Sequence, residues 1–274
     1  MPDPRLRVIA DDGARDPTRN LAVEEALARV FDGDPVLRLW RDDPCVVLGR
    51  FQVADAEVDM AAADRTGVPV YRRFTGGGAV YHDRGNLNVT VVARRDDPLV
   101  ADRPDEGLGG LYGVVLGPLA AAVRARGVPA VADSRGLGVG GRKLGGVAAW
   151  VGRHTVLVHA TVLIDTDLIT LARVLAGPGA PGDRRWLLTR SVRVPVTSLA
   201  CELRREGPAA DPGTDRVGPA IERDIVRAFG AGADGRGGRT VVEESLRATE
   251  LDAVADLLER RYGRPAWHAA GLPA

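Results

Sequence analysis

The sequence predicts an α+β fold: a mixed, mainly antiparallel sheet flanked by helices. Three observations carry this prediction. Strand-like runs come in adjacent pairs, helical runs fall between groups of strands, and no internal repeat is present. A doubly wound parallel sheet would place one helix after each strand, and that alternation is missing.

Leu6 to Ala10 reads as the first strand. Asn20 to Phe31 follows as a helix, with Asn20 as the candidate N-cap and Glu24 and Glu25 in the early turns, where the helix dipole favours anions. Its stripe is Val23, Leu27, Val30 and Phe31. Val36–Trp40 alternates as a strand, Asp42-Asp43-Pro44 is a turn, and Cys45–Gly49 is the expected hairpin partner. A helix over Asp55–Arg65 and a strand over Val68–Arg73 come next, then a strong strand at Asn86–Ala93. Further helices are predicted at Leu111–Arg126, Asp167–Leu175, Pro219–Phe229 and Glu250–Tyr262, with a β-rich run at Val156–Ile164. Gly177–Asp183 and Glu206–Asp215 are rich in Gly and Pro and read as loops. The first is expected to close over a ligand. Residues 1–200 are expected to form a core, and residues 201–274 a helical tail completing the same domain.

Composition narrows the function classes. The chain has 274 residues, 45% hydrophobic and 27% charged, with a formal net charge of +0 and no long block of like charge. That argues against nucleic acid as a partner. No apolar run approaches the roughly 20 residues of a membrane span, so no membrane partner is expected. The N-terminal stretch lacks an apolar signal segment. Two cysteines without a CxxC pattern give neither a disulfide framework nor a zinc site. A cytoplasmic location is the expectation.

Two stretches carry chemistry. In Tyr71 to Asn88, three consecutive glycines, Gly76–Gly78, join two strand-like segments. Three glycines raise the unfolded-state entropy, so they fit a place where backbone amides must approach a ligand and form an anion-binding concavity. The run is neither a P-loop nor a dinucleotide fingerprint. The second stretch, GGRKLGGVAAW, holds the only lysine of the chain, Lys143, against 36 arginines, 37 basic residues being present in all. An ammonium is a compact point charge and a guanidinium a wide fork. A lysine kept in so arginine-rich a chain, with glycines on both sides, fits charge stabilisation inside a tight site. His159 lies in a β-rich run, where a lone histidine is more often structural. Cys45 reads as a core residue, and Cys201 has no adjacent activating group.

Together these stretches resemble the lipoate–protein ligase A family, within the wider biotin/lipoate ligase and octanoyltransferase superfamily. The resemblance rests on Asn20–Leu27, on Leu39–Gln52, on Arg72–Asn86 (RRFTGGGAVYHDRGN), on Gly141–Ala148 (GRKLGGVA), on His159–Leu163 (HATVL) and on Ser191–Leu199. It implies a biotin/lipoate ligase catalytic domain, class II synthetase-like. It further implies that lipoate (or octanoate) and ATP are substrates, with Mg2+, and that acyl-AMP forms before the acyl group passes to a lysine of a lipoyl carrier domain. The resemblance makes residues 1–200 the catalytic core, expects no full accessory C-terminal domain within residues 201–274, and implies a separate accessory subunit as a partner. By the same resemblance Arg73, Thr75, Gly76, Gly77, His82 and His159 bind the acyl group. Gly78, Ala79, Tyr81, Asn86, Gly146, Ala148 and Thr161 meet the adenylate, and Lys143 is the catalytic residue. No metal ligands are assigned. The chain departs from the family pattern before Lys143, where no carboxylate lies between Asp133 and Lys143. Two alternatives stay open: an octanoyl- or lipoyl-transferase using a carrier-bound acyl group, which would need a cysteine between Cys45 and Cys201 that is absent, and a repurposed acyl-binding module.

Overall fold

The computed structural model describes residues 4–10, 12–101, 107–175, 191–206, 214–231 and 238–270. In chain order these form β1 (Arg5–Ile9), α1 (Pro17–Arg29), β2 (Val36–Trp40), β3 (Cys45–Leu48), α2 (Ala54–Glu57), α3 (Met60–Thr66), β4 (Val70–Arg72), β5 (Val80–His82) and β6 (Asn86–Arg94). Then come α4 (Pro98–Ala101), α5 (Gly107–Arg124), β7 (Val131–Asp133), β8 (Gly136–Val139), β9 (Arg142–Gly145), β10 (Val147–Val151) and β11 (Thr155–Leu163). The chain continues through α6 (Leu168–Val174), α7 (Leu199–Glu206), α8 (Thr214–Ala231), β12 (Thr240–Glu243) and α9 (Ala248–Leu257). A π-helical turn, Leu258–Tyr262, leads into α10 (Pro265–Ala270).

The main sheet has the strand order β10-β11-β6-β2-β1-β12. Its first three pairings are antiparallel and its last two parallel, so the fold is the mixed, mainly antiparallel α+β class that the sequence predicts. Two three-stranded sheets, β4-β3-β5 and β7-β8-β9, lie beside it.

Period-two alternation gives the main sheet two unlike faces. Leu37, Leu39, Leu87, Val89, Val91 and Val158 face the rear, in one core with Val115 and Leu119 of α5 and Ile221 and Ile225 of α8. Burying a side chain of this kind stabilises by roughly 1.5–3 kcal/mol. The length and apolar composition of α5 would suffice for a membrane crossing; here it closes the rear of the sheet. The intervening residues, Arg38, Asn88, Thr90, His159 and Thr161, share the other face, towards α1. That face is polar yet buried, and the functional site lies on it.

Several expectations are corrected. Asn20 does not cap the first helix: Asp16 does, its carboxylate accepting from Thr18 N at 2.9 Å, and Asn20 is buried one turn in. β3 is not the hairpin partner of β2 but pairs parallel to β4 and antiparallel to β5. Val46 and Leu48 of β3 pack with Val58 and Ala63 in a separate apolar cluster, which draws the strand out of the main sheet. The helix expected over 55–65 breaks at Val58, because Asp59 caps a new one by accepting from Ala62 N at 2.8 Å. The tail contributes a strand as well as helices: β12 extends the main sheet alongside β1. The Gly177–Asp183 loop lies outside the described residues, as does most of Glu206–Asp215.

Candidate active site

The glycine loop is tied down from behind by Arg73. Its guanidinium donates to the carbonyls of Gly76 (2.6 Å), Gly78 (2.9 Å) and Val47 (3.2 Å) and to Thr75 Oγ1 (2.8 Å). Burial lowers its pKa to about 10. With its carbonyls turned back to Arg73, the loop leaves the N–H groups of Gly76, Gly77 and Gly78 without a partner among the described residues. These are the amides of the expected concavity. Two glycines are sterically required. Gly77 has φ +89°, and a Cβ at Gly49 would sit 2.1 Å from the Gly77 carbonyl oxygen. Ser191 Oγ closes the far side, accepting from Ala79 N at 2.8 Å and from Gln52 Nε2 at 3.1 Å.

Lys143 stands opposite, on β9. Its backbone is stitched to the following wall segment: its N–H donates to Pro195 O at 2.7 Å, and Thr197 N donates to its carbonyl at 2.9 Å. Glu202 ties β9 to that segment, holding Arg142 through two hydrogen bonds and accepting from Thr197. The ammonium lies close to Gly146, 3.6 Å from the place a Cβ would occupy. Among the described residues no carboxylate is ion-paired with it. Asp133, the nearest acid in sequence, is held by Arg135 at 2.7 Å. Burial lowers the Lys143 pKa and Arg135 pushes the same way, with Asp133 opposing.

Two adjoining cavities meet at Lys143. The first, of about 290 Å³, runs between the glycine loop and the polar face of the sheet, with Leu21, Trp40 and Val47 among its apolar walls. The second, of about 390 Å³, is bounded by Tyr81, Leu163, Leu171, Leu175 and the 191–196 segment. Both include Lys143, Ala79, Gly146 and Thr161.

Beneath the first cavity runs a continuous hydrogen-bonded chain. Thr75 Oγ1 lies 3.0 Å from His159 Nε2, and His159 Nδ1 lies 3.1 Å from Glu24 Oε2. Glu24 also accepts from Thr90 Oγ1 (2.7 Å) and Arg38 (3.1 Å). Arg38 donates to Asn20 Oδ1, Asn20 Nδ2 to Asp42 (2.8 Å), and Asp42 Oδ2 meets His82 Nδ1 at 2.9 Å. Burial pushes the Glu24 carboxyl up, but the hydrogen bond from His159 and the charge of Arg38 outweigh it, and the net shift is down. Burial lowers the His159 pKa against the pull of Glu24. His159 is therefore neutral near pH 7, its Nδ1–H donating to Glu24 and its Nε2 accepting from Thr75, which in turn accepts from Arg73.

The structure brings most of the sequence-predicted residues together. Lys143, Arg73, Gly77, Gly78, Ala79 and His82 line the first cavity, as do Gly146, Ala148, His159 and Thr161. Tyr81 lines the second. Thr75 stands behind His159, and Gly76 and Asn86 line neither. Asn86 is buried and donates to Asn88 Oδ1 at 3.1 Å, so the asparagine on the cavity wall is Asn88, two residues along the same face. Sequence reasoning missed Glu24, Asp42, Asn88 and Ser191. The alternation Asn86-x-Asn88-x-Thr90 was the available signal for the polar face.

Asp42, Cys45 and His82 bring ligating atoms within 4.8 Å of one another. A thiol and an imidazole are not the hard oxygen donors that Mg2+ takes, and both Asp42 oxygens already hold side chains. Among the described residues no cluster of three or more His, Cys, Asp or Glu side chains lies at Lys143.

The site sets an apolar trough beside amides and an ammonium that are unpaired among the described residues, an arrangement that suits an enzyme acting on an acyl group. Residues 16–216 match the family model of the lipoyl protein ligase A/B catalytic domain, and the chain belongs to that family. It is 36% identical over 255 residues to lipoate-protein ligase A subunit 1 of Thermoplasma acidophilum, covering 91% of this chain and 90% of that protein. It is also 31% identical over 296 residues to octanoyltransferase LipM of Moorella thermoacetica, covering 95% and 100%. With the probable lipoate-protein ligase A of Mycoplasma pneumoniae it shares 32% identity over 163 residues, 58% of this chain but 46% of that longer protein. Among solved structures, the T. acidophilum protein with bound lipoic acid superposes with a TM-score of 0.74 at 26% identity, covering 98% of this chain and all of that one. A lipoate-protein ligase A bound with ATP gives 0.73 at 25%, with the same coverage. The bipartite T. acidophilum ligase studied with its E2 lipoyl domain gives 0.75 at 25%, covering 99% and 98%.

Proposed function

We propose that this chain is the catalytic subunit of an ATP-dependent lipoate–protein ligase. The lipoate carboxylate attacks the α-phosphate of ATP, forming a C(O)–O–P bond as pyrophosphate leaves. The amine of a carrier-domain lysine then attacks the carbonyl, forming an amide as AMP departs. The observation that carries this reading is the position of Lys143, without a carboxylate partner among the described residues, where the two cavities meet. In this reading the first cavity takes the acyl chain and the second the adenylate. Lys143 and the free amides of Gly77 and Gly78 face the oxygens on which charge develops, the kind of arrangement that stabilises a transition state electrostatically. The relatives named for lipoate ligation, one bound with ATP, support the same reading. The bipartite relative and its lipoyl domain support a carrier domain and a separate accessory subunit as partners.

A transferase is the second reading, favoured by the full-length likeness to an octanoyltransferase. Its thioester step requires a reactive thiolate. Cys45 is fully buried, and burial pushes its thiol well up. Cys201 belongs to α7, outside both cavities. Lipoate-dependent exchange of pyrophosphate into ATP, measured with and without an accessory subunit, separates the readings. Exchange supports the ligase; its absence, together with acyl transfer from an octanoyl carrier, overturns it.

A further inference from the structure

The acyl-adenylate reading puts one amine of the chain itself beside the activated carbonyl. Lys143 carries the only ε-amine in 274 residues, and the other 36 of the 37 basic side chains are guanidiniums, which keep their proton. Where the two cavities meet, Nζ lies 3.6 Å from the point that a Cβ on Gly146 would occupy, and Thr161 Oγ1 lies 3.9 Å from the same point. Both groups face the junction across a glycine that leaves it open. The amine has little room to withdraw. Its backbone is fixed to Pro195 and Thr197, and among the described residues no carboxylate is ion-paired with it.

As an ammonium, Lys143 stabilises the oxygens of a bound acyl-adenylate. The same nitrogen without its proton is a nucleophile held beside the carbonyl carbon. Burial and the charge of Arg135 enlarge that uncharged fraction, with Asp133 opposing. We infer that Lys143 is a self-acylation site: with acyl-adenylate bound and no carrier lysine to accept it, the acyl group passes to the chain's own ε-amine. The Nζ lone pair attacks the carbonyl carbon. The C(O)–O–P bond breaks, its electron pair leaves on AMP, and the proton displaced from nitrogen passes to the released phosphate or to solvent. The product is a neutral amide. It removes the charge that turnover needs and leaves the acyl chain fixed in the first cavity, so the subunit is shut off. A carrier lysine that reaches the carbonyl first prevents this, which makes the reaction a brake set by the supply of unmodified carrier. This rests on the acyl-adenylate reading above and deepens it.

Synthetic octanoyl-AMP, added to the whole wild-type chain near pH 8 without carrier, bypasses adenylation and tests the transfer directly. Peptide mass spectrometry is expected to find a single octanoyl group on Lys143, formed at least about tenfold faster than on the chain's α-amine, the gain expected of a held over a free nucleophile. Carrier domain supplied with the accessory subunit should suppress the adduct. Octanoyl transfer from fresh octanoyl-AMP to carrier should fall in proportion to the fraction of chain already modified. Binding of octanoyl-AMP, seen as a raised Tm, without an adduct at Lys143 would overturn the inference and leave the ligase reading standing. So would an adduct formed no faster than at the α-amine, one that carrier does not suppress, or one that leaves transfer undiminished. Neither a Tm rise nor an adduct would overturn both.

Discussion

At the scale of single residues, Lys143 sets the strongest constraint. Its ammonium is partly buried without a carboxylate partner among the described residues, so its charge is available to a ligand. Burial, reinforced by Arg135, lowers its pKa. A lowered pKa means that the ammonium is lost at a lower pH than in an ordinary lysine. Turnover that needs the charge should therefore decline on an alkaline limb below the usual value of 10.5. Lys143→Arg keeps the charge but puts a planar fork against Gly146. It should cut kcat by about 10²–10³-fold, the loss typical of removing one oxyanion donor, with little change in Tm. Near-normal turnover in that variant would show that the site does not require an ammonium. This residue was legible in the sequence because composition made it singular. Glu24 was not: as a glutamate in an early helical turn it reads as a dipole partner, and only β6 and β11 beside α1 reveal it as the anchor of His159. The same holds for Asp42, which reads as a turn residue until the β3–β5 pairing brings His82 to it.

At the scale of elements, the glycine loop works because β3 passes directly beneath it. Gly49 follows β3 and admits the Gly77 carbonyl where a side chain would stand. Gly49→Ala should therefore lift the loop off Arg73 rather than merely stiffen the chain. Overpacking of this kind costs roughly 1–3 kcal/mol. A thermal melt should register that cost, and the KM for the acyl acid should rise at least severalfold. An unchanged KM would mean that the loop adjusts without moving its amides. The long strands, β6 and β11, were plain from their β-branched alternation. The β7-β8-β9 sheet was not, because Gly136, Gly138, Gly140, Gly141 and Gly145 lower its strand propensity. Those glycines are demanded by close approach and turning: a Cβ at Gly145 would sit 1.9 Å from Thr161 O, and Gly140 and Gly141 have φ of +52° and +78°. Sequence pattern records propensity, and here backbone proximity overrides it.

At the scale of the whole molecule, the C-terminal helix is fastened to the strand that enters the active site. Arg72 is fully buried and has no ion pair among the described residues. It donates to the carbonyls of Gly49 (3.1 Å) and Gln52 (2.6 Å) on the site side, and of His268 (3.2 Å) and Ala269 (3.0 Å) on α10. Trp267 Nε1 donates back to Arg72 O at 2.9 Å. The joint depends on a proton. His268 Nδ1 accepts from Arg72 N at 3.1 Å while its Nε2–H donates to Tyr262 O at 2.7 Å, so the docked ring is neutral. Burial lowers its pKa below 6.5, and the charge of Arg72 adds to that, against the hydrogen bond to Tyr262. Because the docked pKa lies below the undocked one, the contribution of this contact is complete above pH 6.5. It is lost as pH falls through 6.5 and past the docked value. The Tm should therefore drop between pH 7.5 and pH 5. His159, whose pKa is lowered in the same sense, contributes to that drop as well, so the wild-type curve alone does not isolate the joint. His268→Asn keeps an acceptor for Arg72 but cannot titrate. Its Tm should fall less over the same interval, and limited proteolysis at pH 5 should release the C-terminal segment from the wild type before the variant. Identical pH dependence in the two proteins would mean that α10 stays docked whatever the charge of His268.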